Sequence, residues 1–270
     1  MRDTSRPVPF AASARAVFDV SLEAMLWTRR SLLMGLLIAA PVAFALAYRV
    51  ALAFDPRAAA VTPRDFYAMI VAVYWIRNVL PLAALFYATA LIADEIEGRT
   101  LTYLVTRPLT RESIFAGKFA AYGVTTLSLA LPSGVLSFFL LLGTRGLPAL
   151  GPAAGDLFRD LGAMALTLVA YGAFFALLGV VLKRPLIPGL VFLFGWELLV
   201  YLPGYLPRLT LTAWLRSLVT HHPAEHGLAG LLGEQVLPVA QALPVLLVLS
   251  VVFVAAAARI FSSREYVLEQ

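Results

Sequence analysis

The sequence contains no cysteine, which removes disulfides, thiolate metal sites and cysteine nucleophiles without fixing the compartment. It is also poor in charge: Asp, Glu, Lys and Arg make up 14% of its 270 residues, against 61% hydrophobic ones. A soluble domain carries about a quarter charged residues, so this chain belongs in lipid. No secretory leader is expected, because Arg2, Arg6, Arg15, Asp19, Glu23, Arg29 and Arg30 fall where such a leader would place its short apolar core. The first apolar run is therefore expected to be a retained span. No phosphate-binding loop is present either: Gly117-Lys118 has Glu112 where the first glycine should stand, and Phe119 where Ser or Thr should follow. ATP and magnesium are not expected to bind here, and no cofactor is expected in this chain.

What is present is a set of six long apolar runs. They cover Ser31 to Ala53, Ala68 to Ile92, Phe119 to Leu142, Leu161 to Leu182, Leu186 to Leu202 and Val236 to Ile260, and a spanning helix needs about 20 such residues. The fifth is the shortest. Prolines 41, 81, 132, 188 and 244 lie in or beside the runs and predict kinks, since neighbouring groups in a membrane bundle satisfy the carbonyls that proline frees. The fold class is all-α: a polytopic membrane protein with about six transmembrane helices in one domain, residues 1–270.

Lys and Arg set the orientation, because positive loops are retained in the cytoplasm. With the N-terminus inside, thirteen of them fall on that side and eight on the other, Arg49 and Arg77 among the eight lying within apolar runs. Both termini are expected to be cytoplasmic, with residues 203–236 as an external segment. The net charge of +5 is accounted for by these flanks, and nucleic acid is not an expected partner. Before the first span, residues 14–30 place Phe18, Leu22, Met25 and Leu26 on one helical face and Arg15, Asp19 and Glu23 on another. That pattern predicts an amphipathic helix in the membrane interface, the alternative being an extension of the first span.

The most informative stretch is the cytoplasmic loop of residues 94–118, which begins Asp94-Glu95-Ile96-Glu97. Gly98 can end the preceding helix. Leu101, Leu104 and Val105 then fall at helical spacing, as in a short helix lying on the membrane surface. Pro108 closes it, Thr110 suits the N-cap of the next helix, and Glu112 suits the positive end of that helix's dipole. By pattern alone this is a compact amphipathic connector.

Glu97-Gly98-Arg99-Thr100-Leu101, then Arg107-Pro108-Leu109-Thr110-Arg111, then Gly117-Lys118 resembles the signature of ABC transporter permeases of the exporter type-2 class. Phe194-Gly195-Trp196-Glu197-Leu198-Leu199, Leu202-Pro203-Gly204 and Leu209 to Leu218 are similar to the fifth span and outer segment of small bacterial members. The resemblance implies a multi-pass protein of the bacterial inner membrane that exports a substrate and pairs with a second copy of itself. It also implies that a separate ATP-binding-cassette ATPase subunit, which binds ATP and magnesium, docks on the coupling loop. Glu97, Thr100 and Leu101 would lie at that contact, with Gly98, Arg99, Pro108 and Arg111 shaping the loop. Arg99 departs from the family, where a small residue is common.

Three further features call for an explanation. His221, His222 and His226, with Glu225, could ligate a metal, but Pro223 interrupts any shared helix face and a solvated loop explains them as well. Arg77 in the second run and Glu197 in the fifth are charges within lipid, which cost about 2.5 to 3.5 kcal/mol on insertion scales. They are read either as an ion pair that fixes helix packing or as a polar lining for a substrate path. No Ser, His and Asp set or carboxylate pair forms an enzyme active site. The rival functions are a stand-alone secondary transporter using Arg77 and Glu197 as coupling charges, a lipid-modifying membrane enzyme, and a regulatory subunit.

Overall fold

The computed structural model describes residues 9–26, 28–55, 61–97, 110–143, 147–202, 204–219 and 237–263. Among these, 90% are helical and none is in a strand. Helix α1, Phe10–Leu26, is followed by α2, Arg29–Phe54. A second membrane segment then runs through α3, Pro63–Met69, a π-helical stretch, Ile70–Val79, and α4, Leu80–Glu97. The long helices α5, Arg111–Leu142, and α6, Leu147–Val181, come next. The chain continues through α7, Leu186–Phe194, the 3-10 turns Trp196–Tyr201 and Leu206–Leu209, the short α8, Leu211–Arg216, and α9, Val239–Ser263. Five of the described segments are long and apolar enough to cross a bilayer: Ser31–Phe54, Pro63–Leu91, Arg111–Leu142, Ala154–Val181 and Val239–Ser263.

The fifth apolar run departs from expectation. Leu186 to Leu202 was read as one span, but α7 stops at Phe194 and the chain tightens into a 3-10 turn. The break falls at Gly195, where a Cβ would meet the carbonyl oxygen of Val191 at 2.5 Å. Nine residues of α-helix and six of 3-10 helix reach about 25 Å, which makes this the shortest of the apolar segments.

Helices α4 and α6 pack along each other, α9 lies against α6, and α2 and α1 lie against α5. Small residues set the tightest of these contacts, as lipid-embedded packing favours. A Cβ at Gly179 in α6 would come within 2.8 Å of the Thr89 carbonyl oxygen in α4, and one at Gly172 within 2.4 Å of the Tyr122 ring in α5.

Helix α1 is separate from α2, not an extension of it. Thr28 caps α2 by accepting a hydrogen bond from the Ser31 amide at 3.1 Å. The residues α1 buries are Ser13, Val17 and Ser21, while Phe18, Leu22 and Met25 are half-buried and Leu26 is exposed, so the expected apolar face is offset from the docking face. The cause is Gly117 in α5: a Cβ there would meet the Ala14 carbonyl oxygen at 2.4 Å, and so close a crossing selects small side chains.

Two prolines account for the shape of the first two spans. Pro41 has no amide to offer the Leu37 carbonyl four residues back, and the Tyr74 hydroxyl donates to that oxygen at 2.8 Å instead. The adjacent Ile38 carbonyl accepts from Trp75 Nε1 at 3.3 Å and from Ser133 Oγ at 2.8 Å. The carbonyls before Pro41 in α2 are thus tied to the π stretch and to α5. Pro81, in the first turn of α4, likewise cannot donate to Arg77, and the helix before it is wound as π, with the Leu80 amide reaching Trp75.

Candidate functional site

The π stretch positions Arg77. Its guanidinium lies over the ring of Tyr201, 5.4 Å from the centroid, a cation–π contact that gains strength away from water. Arg77 is partly buried, and on the same side of the segment Met69, Val73 and Asn78 are exposed. The Asn78 amide is turned back onto its own helix, donating to the Val73 carbonyl at 2.6 Å.

Glu197 is in a different setting. It is fully buried, and its two carboxylate oxygens accept from the backbone amides of Leu211 and Thr212, each at 3.1 Å. Thr210 takes the next amide, that of Ala213, at 3.2 Å. The first three amides of α8, which have no partner within the helix, are therefore all satisfied by side chains. The negative carboxylate also sits at the positive end of the helix dipole.

The position of α8 follows from α6. The Tyr171 hydroxyl and Thr212 Oγ1 are 2.9 Å apart, and Tyr171 stands ten residues before the end of α6 at Val181, about 15 Å along the axis. The start of α8 is packed there against α6, α9 and the π stretch. Glu197 thus fastens the turn Trp196–Tyr201 to the buried start of α8. Arg77 and Glu197 both lie within electrostatic reach of the Tyr171 hydroxyl, yet what each touches differs: an aromatic ring for Arg77 and two backbone amides for Glu197.

A second buried carboxylate, Asp160 in α6, lies fully buried against the Tyr67 hydroxyl of α3. Neither it nor Tyr67, Tyr171, Thr212 and Tyr201 was singled out from sequence. Asp160 stands one residue before the run taken to begin at Leu161, where a composition boundary hides it.

In the loop of residues 94–118, Thr110 caps α5, accepting from the Ser113 amide at 3.3 Å, and Glu112 falls in the first turn. Arg111 is the first residue of α5, Lys118 is buried, and Glu97 closes α4. Gly98, Arg99, Thr100, Leu101 and Pro108 lie outside the described residues. So do His221, His222, Glu225 and His226. Among the described residues no group of three or more His, Asp or Glu is placed to hold a metal.

Five helices of this length and apolarity define a multi-pass membrane protein. The sequence matches the family described as ABC-2 family transporter protein over residues 20–196, more than half of the chain. The protein belongs to the ABC-2 transporter family, as a permease. The match takes in the end of α1 from residue 20, the loop of residues 94–118 and Arg77, and ends one residue before Glu197. No curated protein matches the sequence.

Proposed function

We propose that the chain is the membrane-spanning subunit of an ATP-driven exporter in which two copies enclose a path and a separate cytoplasmic ATPase docks on residues 94–118. The observation that carries this reading is the family match across 20–196, which contains that loop and both helices rooted beside it. ATP and magnesium belong to the partner subunit. Glu97, Thr100 and Leu101 form the contact, and Gly98, Arg99, Pro108 and Arg111 hold its shape. Helix α4 packs along α6 and α5 touches α1, α2, α6 and α9, so a rigid-body push at the loop reaches most of the bundle.

Positive-inside bias favours cytoplasmic termini in a bacterial inner membrane. Purification in mild detergent tests the proposal. An ATP-binding subunit is expected to co-purify in stoichiometric amount, and Glu97→Lys or Leu101→Asp to weaken that attachment while leaving the permease inserted. Purification without any ATPase, or two variants that assemble and transport like the parent, would overturn it.

A further inference from the structure

We infer that Arg77 selects for negative charge, so that the ligand of this permease's open intramembrane face is a hydrophobic anion. The inference deepens the transport reading and rests on it for the ligand's route. An arginine within a span must face protein or water, since lipid at that depth is costly for charge. Arg77 meets this condition on one side, where Tyr201 carries its guanidinium at 5.4 Å. Its other side borders the face on which Val73 is 42% and Met69 49% exposed, and Tyr201 itself is 43% exposed. That face therefore combines apolar side chains, an aromatic ring and one cation.

Glu197, which shares electrostatic reach of Tyr171 with Arg77, does not cancel this charge at the face. It is fully buried, and its two oxygens accept from the amides of Leu211 and Thr212. A carboxylate enclosed in this way lowers the long-range field but offers no oxygen to a ligand. A molecule with an apolar body and a negative group matches the chemistry; a cation of the same shape meets repulsion from the guanidinium.

Tetraphenylborate and tetraphenylphosphonium, nearly identical in shape and opposite in charge, make the test direct. Binding is measured on the full chain in lipid nanodiscs, with protein-free nanodiscs subtracted. The parent is expected to bind the borate at least about tenfold more tightly, the scale of one charge-assisted contact. Arg77→Gln should abolish the preference and Arg77→Lys retain most of it. Because Arg77→Gln can also impair folding, Val73→Cys in the otherwise cysteine-free chain gives a second reading: the borate should protect it from a thiol reagent and the phosphonium should not.

Equal affinity for the two ions, equal protection of Val73→Cys, or a preference that survives Arg77→Gln would each overturn the inference. So would an Arg77→Gln variant that loses folded yield while the charge preference stays, as a purely structural counter-charge predicts. Absence of a co-purifying ATPase would remove the transport reading and leave the anion preference to be decided by these measurements alone.

Discussion

The helices Pro63–Leu91 and Ala154–Val181 differ from Ser31–Phe54 and Val239–Ser263 in what surrounds them. Buried residues make up 61% and 67% of the most apolar stretch of the first two, but 22% and 17% in the second two. The central pair carries Arg77 and Asp160 and the Gly179 contact. The outer pair carries charge near its ends, at Arg49 and Arg259. Position in the bundle thus decides where polar groups are allowed: neighbouring protein shelters them at the centre, whereas the outer helices present apolar side chains. The two are joined at Pro41, since the Leu37 carbonyl that this proline leaves free is satisfied from the central segment.

The largest expected effect that sharpens this contrast is at Glu197. Glu197→Leu strands two buried amides, each costing about 1 to 3 kcal/mol, so folded yield and thermal midpoint in detergent should fall steeply. Glu197→Gln keeps one acceptor and should lose about half as much. Exchange of the charges, Arg77→Glu with Glu197→Arg, should fail to restore folding, because arginine cannot accept from the amides. A rescue by exchange would show that a direct ion pair matters more than the cap.

Next comes Gly179→Ala, which forces apart α6 and the Thr89 backbone and should cost about 1 to 3 kcal/mol by thermal unfolding. Tyr74→Phe removes the donor to Leu37 and should cost about 0.6 kcal/mol and at most about 1.7, the mean and maximum for hydrogen bonds between membrane helices. The smallest effect is expected on the outer helix. Val251 is 67% exposed, and Val251→Ala should stay within about 0.5 kcal/mol. A large loss there would mean that this face packs against protein, and would break the contrast.

Much of the bundle was legible because runs of about 20 apolar residues have few alternatives. Thr110 as an N-cap was legible for a local reason, a threonine followed by Glu112 at a helix start. The fifth run misled because composition records apolarity and not length of regular helix, and Gly195 interrupts it where Val191 leaves no space for a Cβ. The docking face of α1 was offset because periodicity finds the most apolar side, while the close approach at Gly117 selects Ser13, Val17 and Ser21. The partner of Glu197 was out of reach for pattern reading: backbone amides fourteen and fifteen residues away have no sequence signature.

The account turns on which side of the membrane holds residues 94–118, since an ATPase can reach them from one side alone. Single cysteines at Thr4, Ala224 and Gln270, in a chain with no cysteine of its own, report this through an impermeant thiol reagent applied to intact cells. The account predicts labelling at Ala224 and protection at Thr4 and Gln270 until the membrane is opened. Labelling at Thr4 in intact cells would place the loop, two spans further on, outside and contradict the proposed coupling to a cytoplasmic ATPase.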